Sequence, residues 1–448
     1  MGVSKVGERY GISIGLPKDL GNGKTTDWNI FPDSAIPSFI IEIPINCLPR
    51  GRARLVGKSS EVGNPCSGMY GQMIIQGVDD YQSTSEIPLY VTDAVRTELS
   101  QDVSAIDIEF MVGTPKMHEV MEPLAVDGTS VEAMNKLLVT AEVEFLNRCA
   151  AMSKPNSISD NMTWRFVGGN LSDHMENVVE HASIPGDILY WCYNDHTLKL
   201  EIGTFKMSKA AKHKNFFMYT NDAIVPTSGA RKRVKGSDCD VWYYAGYSPS
   251  DLSGNYRDAR SPNMIIDSTA SGSSKDTGVC SKECWTAILD TMGASDDYKE
   301  TGAYGKQYVV KPFPSNTHKT YAIAPFVRNY MLAEYSKMVR LNIYNHPGPE
   351  IGSCVYFYAA SAQLRNGDFL PDENYTARYI VVSKRIYKDA TTSTGLLGDT
   401  ADTTTSDIIT EITMVSNCGY AGALGADFKA VLVLGESITK SLEKEAKK

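Results

Sequence analysis

The tightest constraint lies in the last quarter of the chain, where one helical stretch feeds a succession of strands broken by a long Thr/Asp-rich excursion. Residues 321–340, from Tyr321 to Arg340, read as a helix: Pro325 sits where a first turn tolerates it, and Val327, Met331 and Met338 fall at helical spacing. Residues 341–344 then read as a strand, His346-Pro-Gly-Pro349 as a turn, and 353–358 as a buried strand. Two further strands follow at 378–387 and 408–415. The excursion between them, Asp389 to Asp407, far exceeds the usual connection of roughly two to five residues, and reads as mobile or as ordered by a neighbour in an assembly.

At 448 residues the chain has room for two to four domains, each with a core of its own. Forty-four basic against fifty-three acidic side chains give a net charge of -9, opposite to the balance of chains that grip phosphates. The same balance suits a wall that nucleic acid merely slides past. No apolar run approaches the roughly 20 residues of a membrane-spanning helix. The N-terminal residues lack an apolar signal region, and Val6 stands where myristoylation after Gly2 would need Ser or Thr, so neither export nor acylation is expected. The nine cysteines (47, 66, 149, 192, 239, 280, 284, 354 and 418) are odd in number and scattered, several inside apolar strands, which predicts buried reduced thiols.

Residues 1–38, rich in Gly, Pro, Asp and Lys, read as an arm with little structure of its own. From 38 to 112 the pattern is all strand, and Ile106-Asp-Ile-Glu-Phe-Met-Val112 alternates apolar with acidic residues, as a strand with one wet face does. The texture changes near Pro115. Thr129-Ser-Val-Glu132 is a capping box in front of Met134, Leu137, Leu138, Ala141 and Phe145. A second helix follows Asn170-Leu-Ser-Asp173, turning Met175, Val178, Val179 and Ala182 inward, and residues 188–202 read as a hairpin. Residues 116–215 are thus an α+β insert. Residues 216–320 read as loops decorating a core, with one strand at Asp240–Ala245, and 436–448 as a charged tail.

The order helix, strand, Pro347-Gly-Pro-Glu-Ile-Gly352, strand, Arg378-Tyr-Ile-Val-Val-Ser383, strand resembles the end of phage baseplate hub proteins. That family includes the late control protein D group and the hub portion of VgrG spike proteins. Met162-Thr-Trp-Arg-Phe166, a short helix, Leu189-Tyr-Trp191 and a hairpin follow the order of elements in the family's inserted domain. The resemblance implies a mainly β fold, α+β overall, with two tail-tube-like β-barrel domains and an inserted α+β domain. The first barrel is expected at 39–115, possibly completed by 216–250, the insert at 116–215, a loop-rich linking region ending in a helix at 251–340, and the second barrel at 341–435. It further implies a homotrimeric symmetry adaptor in the virion tail baseplate, made in the host cytoplasm. Its partners would be the tail tube or distal tail ring, the central spike, and the tape measure protein and DNA passing through without sequence-specific contact. Two alternatives stay open: a tail-associated cell-wall hydrolase, and another tube-fold tail protein such as a distal tail protein.

The residues give no catalytic, cofactor or metal site. Leu20-Gly-Asn-Gly-Lys-Thr-Thr26 lacks the first glycine of a phosphate loop, Lys18 standing in its place. Asp173, His174, Glu176, Glu180 and His181 form the richest titratable cluster, but His174 and His181 are seven apart rather than four, so a solvated helix face is expected. Cys280 and Cys284 have no second ligand pair nearby, His318 being the next histidine downstream. No Gly-x-Ser-x-Gly elbow occurs. Two basic clusters, Arg50-Gly-Arg-Ala-Arg54 with Lys58 and Arg231-Lys-Arg-Val-Lys235, lack the interleaved aromatics of single-strand binders and are expected to meet acidic patches on a neighbouring subunit. Lys206, Lys209, Lys212 and Lys214 read as an exposed face, and the Asn-x-Ser/Thr triplets at Asn161, Asn170 and Asn374 carry no weight without secretion.

Overall fold

The computed structural model describes residues 11–17, 28–60, 62–76, 85–149, 160–184, 186–210, 214–219, 231–233, 239–244, 246–251, 266–267, 311–312, 337–344, 347–365, 368–388, 408–417 and 424–446, with 321, 324, 325, 328, 331, 332 and 335. Within these the chain is mainly β.

Seven strands open it: β1 (Gly11–Pro17), β2 (Trp28–Phe31), β3 (Ser38–Pro44), β4 (Arg50–Lys58), β5 (Tyr70–Gln76), β6 (Ser85–Glu98) and β7 (Val103–Val112). They pair antiparallel in the order β2-β1-β5-β6-β7-β4-β3. Alternation dictates this unit: Phe39, Ile41 and Ile43 of β3 and Ile106, Ile108 and Phe110 of β7 are buried, while Asp107 and Glu109 face outward. The first 38 residues are more than an arm. Ile12, Ile14 and Leu16 alternate inward and β1 takes its place beside β5, so a strand pattern was present there among the turn formers.

The insert runs through α1 (Pro115–His118), β8 (Leu124–Gly128), α2 (Ser130–Thr140), β9 (Phe145–Asn147), β10 (Met162–Phe166), α3 (Leu171–His181), β11 (Leu189–Asn194), β12 (Lys199–Thr204) and α4 (Phe205–Ala210). Its two longer helices, α2 and α3, begin at reciprocal capping boxes, Thr129 with Glu132 and Asn170 with Asp173. Met134, Leu137 and Leu138 of α2 and Met175, Val178 and Val179 of α3 join the common core.

The remaining elements are β13 (Lys214–Tyr219), β14 (Arg231–Arg233), β15 (Cys239–Tyr244), β16 (Tyr247–Asp251), β17 (Ile266–Asp267), β18 (Lys311–Pro312), β19 (Lys337–Tyr344), β20 (Cys354–Phe357), β21 (Ala360–Arg365), β22 (Asp368–Pro371), β23 (Ala377–Lys388), β24 (Ile409–Ser416) and α5 (Leu424–Ala446). The stretch 214–251 sits with the later strands rather than the first seven: β13 pairs with β15 and β20, and β16 with β19. Helical conformation occurs between 321 and 332, but 337–340 are already strand, and Met338 pairs with Val415 instead of lying on a helix face. The tail is a 23-residue helix that begins at Leu424, well before the charged residues.

One strand joins the two β units. Along one edge of β23, residues 377–380 pair with β20 and residues 383–388 with β3, while its other edge pairs with β24. Twelve residues are long enough to hold two partners end to end. The result is one continuous path of strands, β14-β15-β13-β20-β23-β3-β4-β7-β6-β5-β1-β2, and no closed barrel occurs among the described strands.

Candidate interaction surface

Two groupings of charge stand out, one buried and one exposed. The buried one fastens the insert to the sheet. Lys384 of β23 is fully buried, and its Nζ donates to Asp195 Oδ1 at 2.8 Å, Asp195 Oδ2 at 2.6 Å and the Pro347 carbonyl at 3.1 Å. Arg148 bridges Glu201 at 2.5 Å and Glu350 at 3.4 Å, and Asn194 Nδ2 donates to Glu201 at 2.9 Å and to Glu350 at 3.3 Å. The Tyr190 hydroxyl donates to the Gly352 carbonyl at 3.2 Å, and the Asn46 amide to the Trp191 carbonyl at 2.7 Å. Burial pushes the Glu201 carboxyl above its ordinary range, with Arg148 opposing it, and burial holds His196 below the usual imidazole value. Lys384 pairs with Asp195, and Glu201 and Glu350 share the Arg148 guanidinium, so the cluster acts as a clasp between the insert and the sheet.

The exposed grouping is the outer face of β23-β3-β4-β7-β6. Arg50, Arg52 and Arg54 alternate with inward residues on β4 and project together. Glu42 of β3 lies opposite both Arg50 and Arg385, at 4.0 and 3.8 Å, and Arg54 meets Asp107 at 3.7 Å. In the next row Arg52 faces Glu109 in register, and Glu109 faces Asp93 of β6. Glu109 and Asp93 are thus acids directly opposite each other, an arrangement that destabilises a sheet unless a cation meets it. A shallow groove runs over this face between Arg52, Arg54, Asp93, Asp107, Glu109 and Arg385.

Gly51 lets the sheet close here, since a side chain at that position would strike the Ile40 carbonyl and the Phe110 ring, whose Cζ would lie at 2.7 Å. The alternating acids of β7 and the arginines of β4 were visible in the sequence. Their adjacency was not, because it depends on strand pairing across more than fifty residues.

The other candidates are placed as follows. His174 is buried against the Phe166 ring at 5.2 Å, and His181 stacks on Tyr321 at 3.7 Å while its Nδ1 lies 2.8 Å from the Asn177 carbonyl. The solvated-face reading therefore holds for Asp173, Glu176 and Glu180 but not for the histidines, whose rings serve as flat packing surfaces. Burial lowers both imidazole pKa values. Asn170 is the N-cap of α3. Arg231–Arg233 form the edge strand β14, and Lys206 is exposed on α4. Cys47, Cys66, Cys149, Cys192, Cys239 and Cys354 are free thiols. The glycine loop at 20–26, Lys212, Lys235, Cys280, Cys284, His318 and the 389–407 excursion lie outside the described residues. Among the described residues no group of three His, Cys, Asp or Glu side chains converges as a metal site, and no helix is long and apolar enough to cross a membrane.

No family model matches the chain, and no curated protein does. Its structural neighbours are phage tail and type VI secretion proteins at low identity. A tail protein from Neisseria meningitidis MC58 is 9% identical with a TM-score of 0.46, over 92% of this chain and 97% of that one. The prophage MuSo2 43 kDa tail protein from Shewanella oneidensis is 10% identical with a TM-score of 0.45, over 90% and 97%. A type VI secretion component from E. coli, described as structurally similar to T4 tail proteins, is 8% identical with a TM-score of 0.43, over 85% and 73%.

Proposed function

We propose that the chain is a structural subunit of a phage tail, the hub at the centre of the baseplate. In this reading three copies form a ring that joins the six-fold tail tube to a three-fold spike and lines the channel for tape measure protein and DNA. The observation that carries it is β23, which fuses two β units side by side within one chain. Two units per chain and three chains present six β units to a tube while keeping three-fold symmetry at the opposite end.

Two further features support the reading. The insert is fastened to the β units through a buried ionic clasp, which suits a rigid adaptor more than a hinged lid. The net charge of -9 suits a conduit along which DNA moves without adhering. The reading assigns the chain no catalytic group.

Single-particle imaging of the purified chain, alone and with the spike of its own tail, is the test. A ring with three-fold symmetry, an open centre and pseudo-six-fold character on one face is expected. A compact particle with one deep cleft and no ring under both conditions would overturn it.

A further inference from the structure

The bare charged face has a covered counterpart on the same sheet. Arg378 and Arg385 are seven residues apart on β23, a separation that puts side chains on opposite faces of a regular strand. The irregularity between Val381 and Ser383 inserts one residue and brings both arginines to the same face. At Arg378 that face lies under α5: its guanidinium pairs with Asp427 at 2.5 Å, and Val431 and Ile438 pack on Phe216 and Val241. At Arg385 the same face is open, and no segment described in the chain covers β3, β4, β7 and β6 there.

Among the described residues the outer side of α5 is equally unpartnered. Lys429, Val433, Glu436 and Lys440 recur every three or four residues, opposite the buried Val431 and Ile438, and all are exposed. Val433 is 68% exposed, a large apolar side chain standing in a charged stripe. On the bare face Val95 is 53% exposed in the same way, two residues from Asp93 on β6. Lys429 and Val433 are one helical turn apart, roughly 6 Å. Asp93 and Val95 are one strand repeat apart, roughly 6.6 Å. A helix laid on the sheet therefore sets Lys429 over the Asp93–Glu109 acid pair and Val433 over Val95 in one register.

We propose that α5 is an interface helix between two copies of this chain, seated on the second β unit of its own copy and on the β6–β7 face of the next. The proposal rests on the reading of the chain as a ring of several copies and names the contact that closes it. Charge complementarity chooses the occupant: Glu109 already has Arg52 opposite it on β4, while Asp93 on β6 faces only Glu109 across the ladder and receives the ammonium group of Lys429, and the two exposed valines exclude water beside it.

Sedimentation velocity of the full chain over a range of protein concentrations, at low and high salt, tests this. The wild type should self-associate, less strongly at high salt. Lys429→Glu alone and Asp93→Lys/Glu109→Lys together should each weaken association by about tenfold or more, and combining all three should restore it. Val433→Asp, on the outer side of a formed helix, is an independent disruption, and circular dichroism confirms that each variant is folded. A trimer indifferent to all these changes would overturn this contact and leave the hub reading standing. Disruption without rescue by the combined variant would also overturn it. A wild type that stays monomeric at every concentration, with and without the spike, would overturn both.

Discussion

Lys384 illustrates how much a single side chain can settle. It follows Val381-Val-Ser383 in an apolar strand, and it is fully buried with Asp195 as its neutralising partner among the described residues. Removing one member of such a pair leaves the other charge stranded, which costs about 3–5 kcal/mol. Lys384→Ala and Asp195→Ala are each expected to lower urea-unfolding stability by that amount. Lys384→Met with Asp195→Leu should recover most of the loss, because two apolar groups need no partner. Gly352 makes a second local prediction. Its φ of +73° is a left-handed conformation, and a side chain there would collide with the buried ring of Tyr190. Gly352→Ala should cost about 1–3 kcal/mol, with the loss seen in thermal melts and in altered packing around Tyr190. Neither site was legible beforehand. A lysine in a strand carries no mark of which way it points until the bulge and register are known.

At the scale of elements the sequence was more informative, for a physical reason. Capping boxes and two-residue alternation are local, so Thr129–Glu132, Asn170–Asp173 and the 106–112 strand could be read from neighbours in the chain. The failures share a cause as well. Residues 11–17 alternate correctly but sit among glycines and prolines, and residues 337–340 carry apolar spacing that suits helix and strand alike. What decides them is tertiary pairing, with β5 and with β24. The β23–β24 ladder also bears on the long excursion. Tyr387 pairs with Ile409, so the hairpin is held in register right up to the base of residues 389–407. Replacing that stretch with a short turn should leave the melting temperature and circular dichroism unchanged while impairing assembly. A variant that comes out unfolded would show that the stretch belongs to the core.

For the molecule as a whole, one buried and three half-buried histidines work against stability as the pH falls. His118, His174, His181 and His196 all have pKa values held below the ordinary value of 6.5, chiefly by burial. A folded state that binds protons less readily than the unfolded chain loses stability as pH falls. Loss therefore begins near pH 6.5, where the unfolded histidines charge, and continues down to the lowered folded values. Each histidine contributes a slope of at most about 1.4 kcal/mol per pH unit. Denaturant midpoints measured between pH 7.5 and 5 should fall steadily, and a flat profile would show that these imidazoles remain solvated.

The shared strand also has a mechanical meaning. Since β20 and β3 lie end to end on one edge of β23 with β24 along the other, a force pulling the two β units apart along the strand axis acts in shear on the β3–β23 ladder and on the ladders that β20 and β24 make with β23. The hydrogen bonds of a ladder loaded in shear must fail together instead of opening one after another like a zip. Within one chain such a load is carried by the covalent strand and these ladders together.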